Sequence, residues 1–217
     1  GACAKGELWQ TAFGWLCSMR ERGLSADRIS YNACISACKA DGVCWSLGLG
    51  LLSSGSSGSR PDLVGFNTCI HLCEAHWRLA LSLLVGAHLA RLPRNEVGFS
   101  GVLAASGASG KWELGLRLLR QMGEVQVALD VIALNLGIGA CRDHWQCAFG
   151  LLHEFPVLRI ALQDVSYHSG AVACEQAREW RRSLCLLRQG LALRVAVDLV
   201  SSGSSLLACE QGGRWDL

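Results

Sequence analysis

Tryptophan recurs along this sequence at a fixed interval. Seven of the eight stand at Trp9, Trp45, Trp77, Trp112, Trp145, Trp180 and Trp215, with gaps of 36, 32, 35, 33, 35 and 35 residues. Cysteine keeps the same interval at Cys3, Cys38, Cys73, Cys141, Cys174 and Cys209, with Ser106 in the vacant place and gaps of 35, 35, 33, 35, 33 and 35. A period of about 34 residues marks copies of one supersecondary unit, each burying its apolar face only against its neighbours.

The short gaps share a cause. From the phased Cys or Ser to the next Trp is six residues in Cys3–Trp9, Ser106–Trp112, Cys174–Trp180 and Cys209–Trp215, but four in Cys73–Trp77 and Cys141–Trp145. A turn tolerates a two-residue deletion and a helix interior does not, so each unit should hold two elements joined near the Trp. Both read as helices. After each Trp come a small or apolar step and a leucine pair (WRLALSLL, WELGLRLL), with apolar places at +4, +6 and +7 on one helical face. The preceding element sets an aromatic or apolar residue, an aliphatic and the Cys at i, i+4 and i+7, as in Tyr31, Ile35 and Cys38 or Phe66, Ile70 and Cys73. Arg60-Pro61-Asp62 and Leu92-Pro93-Arg94-Asn95 are turn signals between units.

The expected fold is all-α, a right-handed superhelical solenoid of antiparallel helical hairpins forming one domain. Its units are a partial one at 1–27, full ones at 28–62, 63–95, 96–130, 131–163 and 164–198, and a partial one at 199–217. The chain starts and stops inside units without polar capping repeats, and so reads as a fragment or a decayed copy. Two serine-glycine tracts, Ser53–Ser59 and Ser201–Ser205, fall where helix is expected. Glycine costs about 1 kcal/mol per helical site, which makes these helices the weak ones.

Composition removes several alternatives. With 51% hydrophobic and 18% charged residues the chain is not disordered. The apolar stretches Leu81–Ala90 and Ala128–Cys141 fall short of the roughly 20 residues a spanning helix needs, so no membrane partner is expected. Gly1 begins the sequence without a basic-then-apolar leader, so either a targeting segment has been removed or this is a piece of a longer chain. Twelve cysteines include no CxxC pair, and Cys34/Cys38 and Cys69/Cys73 lie one helical turn apart. Reduced, packed thiols in an intracellular compartment are the expectation. Cys69, His71, Cys73 and His76 would splay around a helix axis, so neither metal nor cofactor is expected. Without a Gly-rich phosphate loop, a GxSxG elbow or a deaminase HxE and PCxxC pair, the chain should not be an enzyme.

In phase and in the residues that open its first helices, Ile29-Ser30-Tyr31-Asn32 and Val64-Gly65-Phe66-Asn67 after a closing Asp, the unit resembles the pentatricopeptide repeat. The resemblance covers essentially the whole chain. The related tetratricopeptide repeat places its Trp and Tyr differently and lacks the Tyr-Asn start. What the resemblance implies is sequence-specific binding of single-stranded RNA, about one base per unit, in organellar RNA processing, stability or editing in a chloroplast or mitochondrion.

By that resemblance the second place of each unit, Ile29, Val64, Val97, Ile132, Val165 and Val200, sandwiches a base; the alternative is that these residues staple the helix start. The fifth place (Asn32, Asn67, Ser100, Asn135, His168 and Gly203) and the last (Asp62, Asn95, Asp130, Gln163 and Asp198) face the Watson–Crick edge. Asn32 with Asp62 looks like uracil, Asn67 with Asn95 like cytosine or uracil, and Ser100 with Asp130 like guanine. Asn135 with Gln163 and His168 with Asp198 depart from the common pairs. The plainer alternative is that such residues are caps and turn formers. The recurrent Trp reads as a packing wedge between hairpins.

Charge argues the other way. Twenty Lys and Arg against 18 Asp and Glu leave +2, and Lys5, Lys39 and Arg142 are offset by Glu74, Glu175 and Glu210. Phosphate neutralisation normally supplies most non-specific affinity. The rival expectation is therefore a protein-interaction scaffold without RNA binding.

Overall fold

A computed structural model of the chain describes residues 9–24, 26–38, 45–54, 62–157, 160, 163–192, 203 and 206–210. Among them the regular structure is helical throughout. The elements are α1 (Trp9–Glu21), α2 (Arg28–Ala37), α3 (Trp45–Ser54), α4 (Leu63–Leu72), α5 (Trp77–Leu89), α6 (Glu96–Ala108), α7 (Trp112–Glu124), α8 (Val131–Ala140), α9 (Trp145–Val157), α10 (Asp164–Gln176) and α11 (Trp180–Ala192). Residues 206–210 are also helical. Odd-numbered helices thus begin on the phased Trp, and α2, α4, α6, α8 and α10 begin at residues 28, 63, 96, 131 and 164.

Contacts gather the chain into two compact units, residues 1–105 and 106–217, divided inside α6. In the first, α2 packs on α1, α3 and α4, and α4 packs on α3 and α5. In the second, α8 packs on α7, α9 and α10, and α10 on α9 and α11. The even helices bury their i, i+4, i+7 stripe, though in α2 only Ile35 and Cys38 of it, since Tyr31 is half-buried. Phe66, Ile70 and Cys73 are buried, as are Phe99, Leu103 and Ser106, and the same holds for Leu134, Ile138 and Cys141 and for Tyr167, Ala171 and Cys174.

The odd helices bury the expected place at +6 (Leu51, Leu83, Leu118, Leu151 and Leu186, though Trp15 is exposed) and part of that at +7, but the third place of the stripe lies at +3 rather than +4. Three residues after each Trp stand Ala12, Gly48, Ala80, Gly115, Ala148 and Ser183, all small and all buried. The +4 side chains are only part-covered, and Phe13 is exposed. A small side chain is needed where helices cross closely: a Cβ on Gly48 would stand 2.8 Å from Leu72 Cδ1, and one on Gly115 3.2 Å from Ala140 Cβ. The facing helix contributes soft or absent side chains, with Cys34 Sγ donating to the Ala12 carbonyl at 3.4 Å and Cys69 Sγ to the Gly48 carbonyl at 3.5 Å. None of the ten described cysteines forms a disulfide. Burial pushes the Cys69, Cys141 and Cys174 thiols up to about 12.

The two-residue deletion does not fall in a turn alone. Where the spacing is six, α6 and α10 run 13 residues; where it is four, α4 and α8 stop after 10. The long form ends through a left-handed residue, Gly110 at φ 63° or Arg178 at φ 57°. In the short form the N–H of His76 donates to the Cys73 carbonyl, and that of His144 to the Cys141 carbonyl, both at 2.8 Å. That tight turn delivers each His to a Trp one unit earlier. The His76 ring lies 5.0 Å from Trp45, and His144 stacks on Trp112 at 4.5 Å. Arg182 covers Trp145 at 5.4 Å in the same sense, so these indoles sit between neighbouring hairpins.

Ser53 and Ser54 lie within α3 and residue 203 is helical, while the other residues of the two serine-glycine tracts lie outside the described residues. None of the described helices is long and apolar enough to cross a membrane.

Candidate nucleic-acid interface

The residue that closes one unit starts the first helix of the next. Asp27, Asp62, Asn95 and Asp130 precede α2, α4, α6 and α8, and the side-chain oxygen of each accepts the backbone N–H three residues on, from Ser30 (2.8 Å), Gly65 (2.9 Å), Gly98 (3.0 Å) and Ala133 (2.8 Å). These are helix N-caps, which satisfy backbone donors that the helix leaves free. Hydrogen bonds from the Ser30 hydroxyl and then its backbone N–H hold the Asp27 carboxyl below its usual value. Capping therefore describes the last-place residues correctly, but it is not their only contact.

At Asp62 and Asn95 the same oxygens reach back to the fifth place of their own unit. Asn32 Nδ2 donates to Asp62 Oδ1 at 3.1 Å and to Oδ2 at 2.9 Å. Asn67 Nδ2 donates to Asn95 Oδ1 at 3.4 Å. Arg28 Nε adds an ion pair to Asp62 Oδ2 at 3.6 Å. Each pair leaves a different face to a ligand. Beside Asn32, Asp62 can only accept; beside Asn67, the amide nitrogen of Asn95 is left to donate.

The second-place residues stand beside these pairs. Ile29, Val64, Val97, Ile132 and Val165 are 47–75% exposed although all are large and aliphatic. Stapling would bury them, and they are not buried. Between Val64 and Val97 opens a cleft of about 450 Å³, lined also by Leu63, Asn67, Thr68, Asn95, Ser36 and His71. Val64 and Val97, with Asn67 and Asn95, therefore meet in one cleft.

Elsewhere the picture is less complete. The Ser100 hydroxyl donates into its own helix, to the carbonyls of Glu96 (2.7 Å) and Val97 (3.2 Å). No hydrogen bond joins Asn135 to the exposed Gln163, and Asn135 Oδ1 is buried without a partner. His168 Nδ1 and the neighbouring Tyr167 hydroxyl are buried without partners too. Burial raises the Tyr167 hydroxyl above its usual value. Asp198 and Val200 lie outside the described residues. The thiols of Cys69 and Cys73 are buried in the core while His76 lies against Trp45, so that cluster does not converge.

Sequence reasoning passed over two kinds of residue at this surface. His71 and Ser36 line the cleft from the ninth place of their units. Gly65 and Gly98, at the third place, lie against the edge pairs: a Cβ on Gly65 would stand 2.9 Å from Asn32 Oδ1, and one on Gly98 3.1 Å from Asn67 Oδ1. The available signal was a glycine repeated before an aromatic, in Val64-Gly65-Phe66 and Val97-Gly98-Phe99.

A helical-hairpin repeat, with a cap-linked polar pair in units 28–62 and 63–95, defines the class of fold. Among solved structures the chain is similar to the pentatricopeptide repeat protein PPR10 from maize, at TM-score 0.83 and 18% identity over 98% of this chain. It is also similar to PPR10 in complex with an 18-nt psaJ RNA element, at TM-score 0.72 and 17% identity over 94% of this chain. A third match is the PPR domain of Arabidopsis thaliana protein-only RNase P 1 in complex with tRNA, at TM-score 0.66 and 11% identity, covering 81% of this chain and 95% of that one. The chain has the all-α solenoid fold of pentatricopeptide repeats, and it spans 31% of the length of maize PPR10. No protein-family profile and no curated protein matches the sequence.

Proposed function

We propose that this chain binds single-stranded RNA, with units 28–62, 63–95, 96–130, 131–163 and 164–198 each taking about one base. The observation that carries the reading is the cleft between Val64 and Val97. Two exposed aliphatics form its walls and the Asn67–Asn95 pair lies between them. An unstacked base offers two apolar faces and one polar edge, which is the complement of that cavity. The fold is shared with PPR10, solved with an 18-nt psaJ RNA element, and with a PPR domain solved with tRNA.

Base preference follows from what each pair has left to offer. Asp62 accepts only, which suits the N3–H of uracil at unit 28–62. The free amide nitrogen of Asn95 suits the N3 acceptor of cytosine at unit 63–95. Ser100 with Asp130 is assigned to guanine. Asn135, Gln163, His168 and Asp198 occupy the edge places of the last two units, and Ile132, Val165 and Val200 the corresponding walls. No chemistry is assigned to the chain itself, and the organelle is its proposed place of work.

Fluorescence polarisation at low salt with U- and C-containing single strands tests the reading. Asn32→Ala combined with Asn67→Ala should weaken binding and blur the choice of base, and indifference to the pair would overturn it. The near-neutral charge favours one other reading, a scaffold whose cleft takes a peptide; RNA-independent capture of a partner helix would support it.

A further inference from the structure

We infer that the third residue of each following unit is a positioning residue for the base-reading pair before it, with Gly65 setting the Asn32–Asp62 pair and Gly98 the Asn67–Asn95 pair. The inference rests on the RNA-binding reading for its consequence but not for its geometry. Gly65 and Gly98 are buried inside regular helix, where alanine would be the better helix former. Neither has a positive φ that would demand glycine. What the missing side chain leaves room for is chiefly the pair: its place lies 2.9 Å from Asn32 Oδ1 and 3.2 Å from Asp62 Oδ1 at Gly65, with Leu52 Cδ1 at 3.3 Å, and 3.1 Å from Asn67 Oδ1 and 3.3 Å from Asn95 Oδ1 at Gly98, with Leu84 Cδ1 at 3.2 Å. The Gly65 and Gly98 backbone N–H groups also donate to Asp62 and Asn95.

The chain contains its own comparison. Behind the pair Asn135 and Gln163 the third-place residue is Ser166, buried, with its hydroxyl oxygen accepting the Gln163 N–H at 3.3 Å. There the pair is not made and Asn135 Oδ1 is left alone. A flexible side-chain end yields more readily than backbone. A methyl at 65 should therefore displace the Asn32 amide and leave the helix intact.

Four versions of the 217-residue chain decide the matter: wild type, Gly65→Ala, Asn32→Ala and the double variant. Thermal unfolding, the side-chain amide spectrum of Asn32 and affinity for a short U-rich strand are measured on each. Gly65→Ala should melt at or above the wild-type temperature and shift the Asn32 amide signals. It should bind RNA about fivefold to tenfold more weakly, and that loss should vanish when Asn32 is already alanine. Unmoved Asn32 signals, or an equal loss in the Asn32→Ala background, would overturn the inference. Should wild type bind no RNA, the functional reading fails while the amide spectrum still decides the positioning role. Should Gly65→Ala unfold, Ser166→Gly takes its place: it should move the Asn135 amide signals as the bond to Gln163 forms, and unchanged signals would overturn the inference equally.

Discussion

Asp62 Oδ1 receives two hydrogen bonds from two different helices, from the Gly65 backbone at 2.9 Å and the Asn32 amide at 3.1 Å. Asp62→Asn keeps an acceptor for the cap and adds a donor, so base preference at unit 28–62 should move from U toward C while stability changes by only a few tenths of a kcal/mol. Asp62→Ala removes both partners and should cost about 1 kcal/mol in urea unfolding. The thiols add a pH dependence. Cys69, Cys141 and Cys174 keep their protons in the fold up to about 12, whereas an unfolded cysteine begins to lose its own near 9.0. The unfolded chain alone releases those protons, so their contribution to stability is complete below pH 9 and is lost as pH rises from about 9 to 12. Alkylation at pH 8 should mark the exposed Cys17 and Cys185 rapidly, and these three only on unfolding. At this scale the sequence showed Asp62 and Asn95 as residues suited to cap a helix, which they do. It could not reveal that caps and pairs share one oxygen, because that depends on two helices meeting.

Most helices were legible down to their first residues, since a Trp or a capping Asp or Asn announces the start (α10 follows Gln163 instead) and the Cys stripe marks the buried face. Their crossings were not. Leucines at +4, +6 and +7 suggest one apolar stripe, but close approach is set by the smallest side chain available, and that lies at +3. Ala148→Leu should accordingly destabilise by about 1–3 kcal/mol through overpacking at a buried site, read as a lower midpoint in denaturant. Helix ends offer the opposite adjustment. Gln126 and Arg178 adopt φ 58° and 57°, a region where glycine is at ease and side chains are not. Gln126→Gly and Arg178→Gly should each raise stability by about 0.5–1 kcal/mol in thermal unfolding, whereas Gly110→Ala at φ 63° should lower it by as much.

For the molecule as a whole, the period alone sufficed to indicate stacked hairpins, because a unit with two apolar-faced helices has no other way to cover them. Affinity is harder to read from a period. A net charge of +2 provides few phosphate contacts, so binding to RNA by this chain should be weak and should depend chiefly on the aliphatic walls and the edge pairs. Titration from about 50 to 200 mM salt should therefore weaken it by about tenfold at most, and a loss of about a thousandfold would show that phosphate contacts, not the walls and pairs, carry the affinity. The units also differ in how they meet. His76 against Trp45 and His144 against Trp112 occur only where the preceding helix is short. Transplanting unit 131–163 into another array would strand an imidazole that has lost its indole, so an engineer recombining these modules should move them as adjoining couples, choosing the junction before the specificity.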